Sequence, residues 1–313
     1  MWGDVPQAAF ASALVAFPSA SSPDLSPDER RAAIRAELVL QRAALSRRLE
    51  QEGAGDLAAK LDACGQPTSL TCTTCGQMHK IETRCRRRWC PCCARAISAE
   101  RVRKYERRLQ GLQWPLWLTL TIRNRDDLAV VDDLKAGWKQ FRRRKLFTER
   151  TKGGLWSLEV TERGNGWHPH IHAMLDCEWL AADTPPPCRG DDAKRIAEKI
   201  TYAKAELASV WGECIGQEVG IALAVRKSGM TAVRELLKYA VKGSDLLATT
   251  LPIADLIRSI DAGRTISTFG SLRNGKLAPE PDDDRPGLAC ENCGDNGQWL
   301  PTYIVDMIVR SGR

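Results

Sequence analysis

Apolar and polar residues alternate along Leu116-Trp117-Leu118-Thr119-Leu120-Thr121-Ile122, and an alternating apolar segment recurs along Leu155-Trp156-Ser157-Leu158-Glu159-Val160-Thr161. Successive side chains of a strand point to opposite sheet faces, so both stretches predict half-buried strands. Residues 219–226 repeat the pattern. Between these stretches the period changes. Val131, Leu134, Trp138 and Phe141 fall at helical spacing and predict a helix over about 128–147, and residues 191–211 predict a second long one. Upstream, Ser26-Pro27-Asp28-Glu29 supplies a cap, a proline for the first turn and acidic residues beside it, which start a helix running through 30–51. A short helix around 56–61, a basic helix over 94–109, a helix over 230–243 closed by Gly243, and one over 253–261 complete the set. Strand, helix, hairpin in that order predicts an α+β protein, an antiparallel sheet with helices on one face.

The hairpin is predicted by Asn165-Gly166, which suits a two-residue turn whose central residues both need positive φ. With that turn, Gly164 faces Trp167, Thr161 faces His170 and Glu159 faces His172, while Glu162 faces Pro169 on the other side. Three of the four histidines, His168, His170 and His172, lie on the second strand. His170, His172 and Glu159 then share one face, and Ile171 and Ala173 point into the core. Two imidazoles and a carboxylate form a divalent-metal site with open positions, suited to Mn²⁺ at least as well as Mg²⁺. His168 is a neighbour or a further ligand.

The chain has 313 residues and a formal net charge of +7, and the basic residues are clustered. From Lys80 to Arg108 there are eleven Lys or Arg against three Glu. With Trp89 and Tyr105 interleaved, that stretch predicts contact with a phosphate backbone. Twelve cysteines bear on compartment, and seven of them fall between Cys64 and Cys93. Cys72/Cys75 and Cys90/Cys93 are two x₂ pairs separated by fourteen residues, a zinc-ribbon spacing in which four thiolates fill the tetrahedral shell of a structural Zn²⁺. Cys64, Cys85, Cys92 and His79 are surplus, which leaves another ligand set or a second ion open. Cys290-x₂-Cys293 is at most half a site, able to join spare upstream cysteines. Thiolate metal sites fit a reducing compartment. The apolar run 8–17 lacks a basic segment before it, and no run is long enough to cross a bilayer, so a cytoplasmic protein without membrane partners is expected.

On the helix predicted over 230–243, Glu235 and Tyr239 are four residues apart and Lys242 three further on, so all three share one face.

Taken together, the chain resembles the HUH superfamily of single-strand endonucleases, in particular the rolling-circle plasmid replication initiators. The resemblance rests on the strand LWLTLTIRN, the block WHPHIHAML and the segment ELLKYAVK, with Cys85…Cys90-Pro-x-Cys93 and RTISTFGSLR similar to zinc-bearing initiators and related transposases. It implies an antiparallel palm-like core in which His170 and His172 hold Mg²⁺ or Mn²⁺. It further implies that Tyr239 is the nucleophile, that Lys242 supports its phenolate, and that Glu235 activates water in the terminating cleavage. Origin DNA, a host helicase and a DNA polymerase are the implied partners. The expected organisation is an N-terminal extension over 1–62, a zinc knuckle with its basic helix over 63–112, the endonuclease over 113–250 and a C-terminal extension over 251–313. A transposase with the same chemistry, or a non-catalytic zinc-ribbon DNA binder, are the alternatives. The sequence leaves the oligomeric state open.

Overall fold

The Ser26 hydroxyl accepts a hydrogen bond from the Glu29 N–H at 3.3 Å while the Glu29 carboxylate accepts from the Ser26 N–H at 2.9 Å. This reciprocal box opens helix α1, Pro27–Gln51. The computed structural model describes residues 26–162, 164–217, 219, 221–225, 230–237, 243–274, 290–294 and 299–302. The stretch before Ser26 lies outside them. Helix α2, Gly55–Asp62, follows. Both pack into the main core through Leu45, Leu49, Leu57 and Leu61. Arg48 donates to the carbonyls of Leu246, Thr249 and Leu251, at 2.6–2.7 Å. Glu52 accepts from the N–H groups of Ile253 and Ala254, at 2.8 and 2.9 Å, and so caps a later helix. The N-terminal segment is thereby tied to chain two hundred residues on.

The strands form two antiparallel sheets, of which only the large one contains the alternating stretches. The small one contains β1, Pro67–Cys72, and β2, Met78–Glu82. The large one contains β3, Pro115–Thr121; β4, Gly153–Glu162; β5, Trp167–Asp176; β6, Ile221–Val225; and β7, Ile266–Gly270. Its order is β6-β3-β5-β4-β7, with every neighbouring pair antiparallel. Residues 251–313, set apart by sequence as a C-terminal extension, supply the edge strand β7 to this sheet. They also supply β8, Trp299–Pro301, to the small one, in the order β2-β1-β8.

One face of the large sheet, carrying Leu118, Leu158 and Ile171, is covered by helix α4, Ala129–Phe141, and later by Ala193–Ile215. The single helix expected over 128–147 is broken. Arg144 is extended, and a second helix, α5, spans Lys145–Arg150. The break turns Phe147 edge-on to Trp138, with ring centroids 5.6 Å apart. Truncating a large aromatic in such a core to alanine typically costs about 3–5 kcal/mol, enough to override helix continuity.

The opposite face is covered too, but only in part. Trp117, Leu155 and Met174 pack there against Leu109 of helix α3, Pro91–Gln110. Ala193–Ile215 is α6, and the next helix, α7, is Met230–Leu236, whose Val233 and Leu236 close over the same patch together with Leu237. Helices therefore lie on both faces, against the single layer expected. Further along the same strands that opposite face is polar: Thr119 and Thr121 on β3, Ser157 and Glu159 on β4, and the histidines on β5, with Ser157, Glu159 and His172 buried.

Gly243 does not cap the helix expected over 230–243. It opens α8, Gly243–Ala248, and residues 238–242 lie outside the described residues. Helix α9, Ala254–Ala262, precedes β7, and the short α10, Ser271–Asn274, follows it.

Candidate metal centres

The β4–β5 hairpin pairs Glu159 with His170, Ser157 with His172 and Glu162 with Trp167. The expected register, with Glu159 opposite His172 and Thr161 opposite His170, is displaced by two residues. The cause is the loop. Gly164 and Gly166 take positive φ, 89° and 84°, and Asn165 does not. The two-residue turn is therefore replaced by a longer connection, and the Gly164 N–H is taken up by the Glu162 carboxylate. Gly166 also has no room for a side chain, since a Cβ there would sit 2.7 Å from the Arg125 backbone. Arg125 and Trp167 exchange backbone hydrogen bonds at that point, at 3.3 and 2.7 Å. A displacement by two leaves every side chain on its original face, so His170, His172 and Glu159 still share one face.

That convergence is specific. His172 Nε2 lies 2.9 Å from Glu159 Oε2, and each residue is 8% exposed. The other ring nitrogen, Nδ1, lies 3.1 Å from Thr119 Oγ1, which accepts from Trp117 Nε1 at 2.9 Å. An indole N–H only donates, whereas a hydroxyl both donates and accepts. Thr119 can therefore serve either tautomer of His172, and it holds the ring plane fixed. His170 stacks on His172 with centroids 5.9 Å apart, and His168 lies 4.0 Å from His170 with its Nε2 2.7 Å from Thr121 Oγ1.

Adjacent ligands of an octahedral ion with bonds near 2.1 Å are about 3 Å apart. The His172–Glu159 pair already has this spacing, and its donor set, an imidazole and a carboxylate shielded from solvent, fits a divalent cation. His170 shares the face but does not close with the other two: among the described residues, the only groups of three or more potential ligands within 4.8 Å of one another are built from cysteine. Thr119, Thr121 and Trp117 were not singled out from sequence. Their alternation in β3 was visible, but only the pairing of β3 with β5 puts them beside the histidines.

Glu235 is half-buried on α7. Tyr239 and Lys242 lie outside the described residues. The last described residue before them is Leu237, fully buried on the histidine-bearing side of the sheet, with its carbonyl accepting from Ser98 Oγ of α3 at 3.0 Å.

The cysteines form two clusters, neither of them the set expected. Cys90 and Cys93 join Cys64 and Cys85, and Cys72 and Cys75 join Cys290 and Cys293. The grouping of Cys72, Cys75, Cys90 and Cys93 into one site is thus corrected. Cys72 and Cys75 leave β1 at one end of the small sheet, whereas Cys90 and Cys93 lie at the start of α3. In the first cluster the sulfurs of Cys64–Cys93, Cys85–Cys93 and Cys90–Cys64 are 3.5, 3.7 and 3.8 Å apart. Four thiolates around Zn²⁺, with bonds near 2.3 Å, are about 3.8 Å apart at the edges of a tetrahedron. Contacts with Cys85 and then Cys90 hold the Cys93 thiol far below its ordinary pKa, while contacts with Cys85, Cys92 and Cys93 push Cys90 up. Four sulfurs at this spacing could hold a metal ion such as zinc. Of the surplus residues, Cys92 turns to the Leu38 carbonyl at 3.5 Å, and His79 packs on Trp299 with centroids 5.9 Å apart.

On α3, Arg95, Arg103, Lys104 and Arg107 are exposed. Other cations of the basic stretch are used internally: Arg88 donates to Thr265 and to the Ile260 carbonyl, at 2.7 and 2.9 Å, and Arg87 pairs with Asp261 at 3.5 Å. Arg103, Lys104 and Arg107 fall on adjacent positions of one helix face. Replacing the three by alanine should weaken single-stranded DNA binding whatever the sequence and flatten the log–log salt dependence by about 2, measured by fluorescence anisotropy at several salt concentrations.

A helix-backed antiparallel sheet with a histidine-rich central strand, accompanied by a cysteine cluster able to hold a metal such as zinc, defines an α+β protein with an HUH-type core. Residues 77–178 match the Rep_1 family of replication proteins. The match bears out the resemblance to rolling-circle plasmid replication initiators. It spans Glu159 and all three histidines of the patch but stops before Glu235 and Tyr239. No curated protein and no solved structure matches the chain. No helix among the described residues is long and apolar enough to cross a membrane.

Proposed function

We propose that the protein starts rolling-circle replication by nicking one strand of plasmid origin DNA through Tyr239. The observation that carries this reading is the His172–Glu159 pair, buried and oriented by Thr119, on a sheet face shared with His170 and flanked by α7. His170, His172 and Glu159 would hold Mg²⁺ or Mn²⁺. An ion bound there supplies positive charge to the scissile phosphate.

The remaining work falls to the chain. Leu237, on the histidine-bearing side of the sheet, is two residues before Tyr239 in sequence. The Tyr239 oxygen attacks phosphorus as its proton is lost, and the bond from phosphorus to the 3′ oxygen breaks. The product is a 5′-phosphotyrosine link, with the leaving oxygen protonated to a free 3′-OH. A free phenol has a pKa of about 10, so Lys242 serves by favouring the phenolate. Glu235 activates water for the terminating cleavage, which avoids leaving the protein covalently trapped. The exposed cations of α3 hold the strand, a host polymerase extends the 3′-OH with a helicase opening the duplex, and the reaction takes place in the cytoplasm.

The test is a single-stranded origin oligonucleotide labelled at its 3′ end and incubated with the full-length protein and Mn²⁺ or Mg²⁺. The labelled fragment should remain bound to denatured protein, and peptide mapping should place it on Tyr239. No adduct with any divalent ion would leave a DNA-binding protein without nicking chemistry.

A further inference from the structure

Cys72 and Cys75 sit in the sequence Cys-Thr-Thr-Cys-Gly, and Cys290 and Cys293 in Cys-Glu-Asn-Cys-Gly. The two pentapeptides fold alike. Gly76 and Gly294 both take positive φ, 76° and 70°, and each N–H closes on the carbonyl of the first cysteine, at 2.9 and 2.7 Å. Each is therefore the tight knuckle that aims two sulfurs at one point, with glycine where the backbone turns left-handed.

The knuckles face one another. Cys72 Sγ lies 3.9 Å from Cys293 Sγ, and Cys75 Sγ 3.5 Å from Cys290 Sγ, close to the ~3.8 Å edge of a tetrahedral zinc–thiolate shell. Each knuckle also feeds a strand of the same sheet: Cys75-Gly76 leads into β2, Cys293-Gly294 into β8, and the two strands flank β1. The other cluster has no such symmetry, because Cys90 and Cys93 run straight into α3.

We infer that Cys72, Cys75, Cys290 and Cys293 bind one zinc ion of their own, separate from any ion held by Cys64, Cys85, Cys90 and Cys93. This two-knuckle site is assembled from distant parts of the chain and fastens residues 290–302 to the β1–β2 hairpin. β8 alone is a weak fastener, since it pairs with β1 over only three residues. This zinc site is independent of the nicking chemistry.

Metal analysis of the full-length protein should give two zinc ions per chain, and the Cys290→Ser/Cys293→Ser double variant one. Misfolding of that variant is bypassed by a second measurement that keeps every cysteine. A site-specific protease sequence placed between Pro281 and Asp284 allows the chain to be cut. The C-terminal piece should stay with the body through gel filtration and separate on adding a chelator. One zinc per wild-type chain, two retained by the double variant, or a piece that leaves while both ions remain bound would each overturn the proposal.

Discussion

Tyr239→Phe should abolish the covalent DNA adduct and lower nicking by about 10³-fold or more, since it removes the oxygen proposed to attack and leaves DNA binding in place. The other tyrosines sharpen the test. The chain has four, Tyr105, Tyr202, Tyr239 and Tyr303. Tyr202 is 68% exposed on α6, which packs against the sheet face opposite the histidines. Tyr105 lies on α3, packed against the apolar patch beside Trp117 and Met174. Tyr105→Phe and Tyr202→Phe should therefore retain the adduct, read by gel shift of the labelled strand after denaturation. An adduct that survives Tyr239→Phe and disappears with Tyr105→Phe would move the chemistry onto α3.

His172→Ala should reduce nicking to background at any Mg²⁺ or Mn²⁺ concentration, because it removes one member of the close pair. Thr119→Val should behave differently. It keeps the imidazole but removes the hydroxyl that orients it through Nδ1. Losses of this kind cost about 10- to 100-fold in metal affinity, so activity should return as the ion is raised. Titrating metal against nicking rate separates the two variants. Equal and unrescued loss in both would mean that Thr119 supports the fold rather than the ligand.

How far the sequence carried this picture depended on what kind of information each feature needed. Faces were legible because a strand's period of two is local: His170, His172 and Glu159 were placed on one side even though their pairing was displaced by two. The displacement was not legible, because it depends on Arg125 approaching Gly166, a contact between segments forty residues apart in sequence. Helix ends were legible where side chains cap them, as at Ser26, and not where packing intervenes, as at Arg144. Cysteine grouping failed for a related reason. An x₂ spacing shows that a knuckle forms but not which second knuckle closes it, and the two pairs nearest in sequence belong to different clusters. The shared Cys-x-x-Cys-Gly pentapeptide was the available signal, since it marks Cys72/Cys75 and Cys290/Cys293 as alike.

The small sheet has a consequence for how the protein is made. Cys72 and its partner Cys293 are 221 residues apart, so at about 5–20 residues per second the ribosome needs roughly 10–45 s between the two. Throughout that interval the β1–β2 hairpin waits with one edge bare and two thiols uncapped, while the whole histidine-bearing sheet has time to form. The small sheet is therefore completed only once Cys290 and Cys293 have been made, and a brief exposure of nascent chains to oxidant should damage Cys72 and Cys75 before it harms the mature protein.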